Sequence, residues 1–127
     1  MSVRESSVDF SATLGRALAA IERRGLTVFA TVDHAAGARD AGMELDDETV
    51  ILFGNPQGGT PLMQADPRIG IELPLRLLVW RRADTVFVGH LDMTEEAHGY
   101  DVAGQTARLV AMTALLDEIA VEAAGNM

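Results

Sequence analysis

Glycine and proline crowd into one stretch, Phe53-Gly54-Asn55-Pro56-Gln57-Gly58-Gly59-Thr60-Pro61-Leu62-Met63, and no regular element can run through it. An apolar strand has to end at Phe53, the chain has to bend, and a new element has to begin. Thr60-Pro61 has the form of a helix N-cap followed by proline at the first helical position. Gly58 and Gly59 admit backbone conformations closed to other residues, and a helix start carries unpaired amides. The stretch therefore predicts main-chain N–H groups facing open space, where a carboxylate, a phosphate or a polar metabolite can be held. It lacks the lysine of a P-loop and does not match the dinucleotide fingerprint. The plainer reading is a tight strand-to-helix turn that needs small residues.

The segments on either side fall into place around this loop. Residues 1–9 are polar and read as a loose tail. Ser11 is placed to cap a helix with Leu14, Leu18 and Ile21 on one face and Gly25 at its end. Thr27 to His34 alternates as a strand, Ala35 to Ala41 reads as one or two helical turns, and Thr49 to Phe53 as a second strand. Asp66-Pro67 ends the short helix after the loop. Leu73 to Arg82 and Thr85 to Leu91 form a hairpin about Ala83-Asp84. Asp92-Met93-Thr94-Glu95 resembles a capping box. Leu109, Met112, Leu116 and Ile119 recur at helical spacing in a final helix over about 105–123. The first two strands are separated by a crossover long enough to make them parallel. The expected fold is a single α+β domain over 10–127, with a mixed sheet of about four to five strands and helices packed mainly on one face.

Composition narrows the function classes. The chain has 127 residues, enough for one core; 48% are apolar but only 5% aromatic, so the core is expected to be aliphatic with Trp80, Phe29, Phe53 and Phe87 as its bulky members. Ten basic against nineteen acidic residues give a net charge of −9, which argues against nucleic acid and anionic membranes as partners. Without cysteine there are no disulfides, thiolate catalysis or cysteine-ligated metals. No stretch has the form of a signal peptide or a membrane span, so a cytoplasmic location is expected.

Thr31-Val32-Asp33-His34-Ala35-Ala36-Gly37-Ala38, the Phe53–Met63 stretch, and Pro67-Arg68-Ile69-Gly70-Ile71-Glu72-Leu73-Pro74-Leu75 with the strand to Trp80 together resemble the DUF302 family. The similarity runs from about residue 10 to 100. It implies a small α+β domain, usually a homodimer, with no established activity, cofactor or substrate. The chain departs from the family pattern at Asp46-Asp47-Glu48 and at Gly89-His90-Leu91-Asp92-Met93.

Candidate chemistry centres on the loop, with Asn55, Gln57, Gly58, Gly59 and Thr60 as ligand-binding residues. Asp33 and His34 lie at the end of the first strand, where strand ends meet in crevices; adjacent strand residues point to opposite faces, so they do not form a triad-like pair. His34 is the candidate general acid or base. His90 and Asp92 alternate on one face and His98 follows, a set of nitrogen and oxygen candidates for a metal that fits no standard spacing. No cofactor is expected. Three readings stay open: a homodimeric module binding a small polar or anionic molecule beside the loop, with Arg68 and Arg76 available for charge; an enzyme using His34 with loop amides as anion stabilisers; and a purely structural or interaction protein.

Overall fold

The computed structural model describes residues 1–126. Five strands, β1 (Ser2–Glu5), β2 (Thr27–Asp33), β3 (Glu48–Gly54), β4 (Leu75–Arg82) and β5 (Thr85–His90), form one sheet in the order β1-β5-β4-β3-β2. The helices are α1 (Phe10–Arg23), α2 (His34–Asp40), α3 (Pro56–Ala65), α4 (Met93–Glu96) and α5 (Thr106–Ala123), with short 3-10 turns at Pro67–Glu72 and Ala103–Gln105. The α+β class holds. The sheet, however, is antiparallel throughout, not mixed: β2 returns through α2 to pair with β3 in the opposite sense.

Two local corrections follow from hydrogen bonds. Ser2–Glu5 is not a loose tail but an edge strand paired with Phe87–His90. Arg4 reaches Asp117 of α5, and the Ser7 amide donates to the Ala124 carbonyl, so both the edge strand and the turn after it are tied to the last helix. The cap of α1 is Asp9, not Ser11: its carboxylate accepts from the Ala12 amide at 2.8 Å. Gly25, with φ of +72°, follows the helix where a left-handed residue ends it cleanly.

The core lies between the sheet and the two long helices. Along β3, β4 and β5 every second residue is buried: Ile51 and Phe53, then Leu75, Leu77 and Val79, then Val86 and Val88. Ala17, Ala20 and Ile21 of α1 meet Leu116, Ile119, Ala120 and Ala123 of α5, and these alanines let the two helices approach closely. Arg24 clamps the seam at its end through Glu122 at 2.7 Å.

The aromatic residues do not go where composition placed them. Phe53 alone is in the core. Since Val79 and Val88 face the helices, strand alternation turns Trp80 and Phe87 to the opposite face, where they stack across the strands at 5.4 Å. Val50, Leu52 and Leu78 share that face, and Phe29 is 57% exposed at the β2 bulge. Gly89 completes this arrangement: a Cβ there would lie 2.9 Å from the Trp80 ring and 3.0 Å from the Met1 sulfur. Gly89→Ala is expected to lower unfolding stability by about 1–3 kcal/mol, as overpacking does. Urea denaturation followed by circular dichroism measures it; an unchanged midpoint contradicts the close packing.

Candidate functional site

The chain turns at the predicted place but by a different device. Helix α3 begins at Pro56, not after Thr60, with Asn55 as its cap. The Asn55 side-chain oxygen accepts from the Gly58 amide at 2.7 Å. The Asn55 carbonyl accepts from the Gly58 and Gly59 amides at 3.2 and 3.3 Å. Pro56 has no N–H to offer. The amide cradle expected from the glycines is therefore closed, because their donors are engaged inside the helix start. Pro61 sits within α3.

A hollow of about 380 Å³ nevertheless opens beside this turn. Gly54, Asn55, Gly58, Gly59 and Thr60 form one wall, Leu73, Pro74 and Leu75 another, and Met112 and Leu115 of α5 close the back. Leu26, Phe29, Phe53 and Met63 complete a lining in which Asn55 and Thr60 are the only polar side chains. Room for the hollow comes from Gly59, where a Cβ would come within 3.3 Å of Leu73, and Gly70, within 3.3 Å of Met63.

The six sequence-predicted site residues other than Thr60 do not all meet at the hollow. Asn55, Gly58 and Gly59 line the hollow; Gln57 is exposed and outside it, its carbonyl accepting from Arg108 at 3.2 Å. Asp33 caps α2 through the Ala36 amide at 2.9 Å. His34 is exposed at the first position of that helix and does not line the hollow. Arg68 and Arg76 are likewise engaged elsewhere, with Asp66 at 2.7 Å and Glu72 at 3.6 Å. Of the metal candidates, His90 is buried, Asp92 caps α4, and His98 is exposed. Among the described residues no three His, Cys, Asp or Glu side chains converge to hold a metal ion. No described helix is long and apolar enough to cross a membrane.

The family model described as "Domain of unknown function DUF302" matches residues 2–120. The chain belongs to the DUF302 family. The match includes the N-terminal strand and most of α5, beyond the 10–100 span that the sequence motifs suggested. A crystal structure of an uncharacterised conserved DUF302 protein from Bacillus stearothermophilus superposes with a TM-score of 0.87 over 96% of both chains, at 15% identity, a likeness of fold. Among curated proteins, "Fluoride-specific ion channel FluC 1" of Brucella suis biovar 1 (strain 1330) is 46% identical over 76 residues, 60% of this chain. "Fluoride-specific ion channel FluC 2" of Brucella melitensis biotype 1 matches at the same identity. The matched stretch makes up 30% and 28% of those two proteins, so this DUF302 chain spans less than a third of their length.

The turn that follows α3 in this DUF302 domain is organised by one carboxylate. Buried Asp66 accepts from the Arg68 amide, the Arg68 guanidinium and the Asp101 amide, tying the turn after α3 to the segment before α5. Tyr100 lies under Arg68 and donates to Glu72 at 3.0 Å. These bonds, the Arg68 side chain first, hold the Asp66 carboxyl well below the usual carboxylate range. A depressed folded pKa stabilises fully above the unfolded value of about 3.9 and loses that contribution as pH falls below it. Asp66→Asn is therefore expected to lower the melting temperature at pH 7 and to flatten its decline between about pH 4 and pH 2. Thermal melts across that range test both, and an acid limb as steep as wild type refutes the assignment.

Proposed function

We propose that this DUF302 domain is a homodimeric binding module for a small, largely apolar molecule held in the hollow beside the Asn55 turn. The lining carries this reading: Leu, Met, Phe and Pro side chains from five elements converge on a space of ordinary ligand size, with Asn55 and Thr60 at its edge to orient a polar end. The polar or anionic ligand first expected has no support from the geometry. The Gly58 and Gly59 amides are engaged, and Arg68 and Arg76 face acidic partners. His34 lies outside the hollow, which leaves the acid–base reading without a substrate beside the ring. The dimer is supported by the sheet face turned away from α1 and α5, where Leu78, Trp80 and Phe87 run towards Val32, 41% exposed on the edge strand.

Straight-chain alcohols or carboxylates of increasing length test the ligand class by competition with a fluorescent naphthalene sulfonate. Each added methylene is expected to tighten binding about fourfold, equivalent to about 0.8 kcal/mol, until the hollow is full. Inorganic phosphate is expected to leave the melting temperature unchanged. Thr60→Trp, at an exposed position on α3, fills the mouth and abolishes the competition. A flat dependence on chain length, or stabilisation by phosphate alone, overturns the reading. Light scattering after size exclusion tests the dimer: Val32→Glu is expected to yield monomers, and a monomeric parent protein ends that part of the proposal.

A second reading is favoured by the Brucella relatives, in which the similar stretch is part of chains named as fluoride-specific ion channels. The domain would then act beside a membrane channel, its ligand modulating flux. Fluoride efflux from vesicles bearing such a channel without the matched stretch, with and without this chain added, separates a channel partner from a free-standing module.

A further inference from the structure

A second hollow, of about 320 Å³, lies on the other flank of α5. Met112 and Leu115 look into the apolar cavity, whereas Thr113 and Asp117 face this one, together with Ser2, His90, Asp92 and Thr94. The two hollows share no lining residue. The β1–β5 register sets Ser2 directly opposite His90, so the edge strand forms one wall.

His90 is the informative group. Its side chain is 2% exposed, and its Nδ1 lies 3.1 Å from the Leu91 carbonyl oxygen. A carbonyl only accepts, so Nδ1 carries a proton, and in the tautomer that bears only this one, Nε2 is a bare acceptor. Among the described residues, that atom is buried without a hydrogen-bond partner. It faces Asp117 Oδ1 at 3.5 Å, a second acceptor. In that tautomer two acceptors face one another and call for a donor between them, and a buried acceptor left unmatched is costly.

The other polar groups around the hollow sharpen the requirement. Thr113 Oγ1 is engaged, accepting from the Met93 amide at 3.0 Å and donating to the Leu109 carbonyl at 3.1 Å. Asp92 accepts from the Thr94 amide and hydroxyl, which keeps it ionised. Arg4 pairs with both Asp117 oxygens at 3.3 Å from outside the space. The lining therefore offers two carboxylates and an imidazole acceptor, with Val110 and Ala114 as an apolar strip. A hydroxyl has one proton and can serve only one of the two facing acceptors. An ammonium group, with more than one N–H, serves both.

We propose that this hollow binds a small primary or secondary amine, whose ammonium bridges His90 Nε2 and the Asp117 carboxylate while its carbon chain lies along Val110 and Ala114. Nuclear magnetic resonance of the full chain at pH 8, following amide and imidazole nitrogens, tests it with ethylamine, tetramethylammonium and zinc as probes. Ethylamine is expected to produce saturable shifts at Ser2, His90 and Asp117, including the His90 Nε2 resonance. Tetramethylammonium, which has no N–H, is expected to produce none. Asp117→Asn, half-exposed on the surface of α5, is expected to weaken ethylamine binding at least tenfold with the circular dichroism spectrum unchanged. The absence of saturable shifts, equal shifts with tetramethylammonium, saturation by zinc alone, or an Asp117→Asn variant that binds as tightly as the parent each overturns the proposal.

Discussion

The close seam between α1 and α5 decides the shape of the molecule. Alanines at positions 17, 20, 120 and 123 are fully buried or nearly so, and bulkier side chains there would hold the helices apart. With the seam tight, Leu116 and Ile119 reach the sheet, and α5 lies over β4 and β5 like a ridge. Each flank of that ridge leaves space. One flank meets α3 and the Leu73-Pro74 entry to β4, where apolar side chains surround the gap. The other meets the start of α4 and the edge strand, where carboxylates and a histidine do. Two hollows of opposite character thus arise from one helix, because the residues at 112 and 115 are apolar and those at 113 and 117 are polar.

Side-chain period made much of the fold legible in the sequence. Alternation in β3, β4 and β5 and the spacing of Leu109, Met112, Leu116 and Ile119 are strong local signals, and the elements stand where these patterns put them. Strand direction was not legible in the same way. A helical crossover suits parallel strands, but α2 is one of the short elements and returns the chain antiparallel beside β2. The edge strand was hidden for another reason. Ser2–Glu5 is polar because both its faces are exposed or half-exposed, and its order comes from pairing with β5 and from Arg4 on Asp117, contacts distant in sequence.

The loop shows how a correct location can carry the wrong chemistry. Glycines and prolines at 54–61 marked the place where a hollow opens, since their small side chains leave room. They also suggested free amides, and there the inference failed: Asn55 begins the helix earlier and takes up the Gly58 donor. The residues that give the cavity its apolar character, among them Leu26, Met63, Leu73 and Met112, are scattered through the chain and look like ordinary core positions. Leu115, apolar but off the spacing of Leu109, Met112, Leu116 and Ile119, is a sequence signal for this flank that the stripe alone does not carry.

Trp80, the single tryptophan of the chain, sits stacked on Phe87 on the sheet face turned away from α1 and α5. Neither hollow includes it. Its emission is therefore a built-in gauge of what settles on that outer surface, quiet towards small molecules entering beside α5 and responsive to a protein laid against the strands. One optical signal can distinguish assembly from ligand uptake without a label.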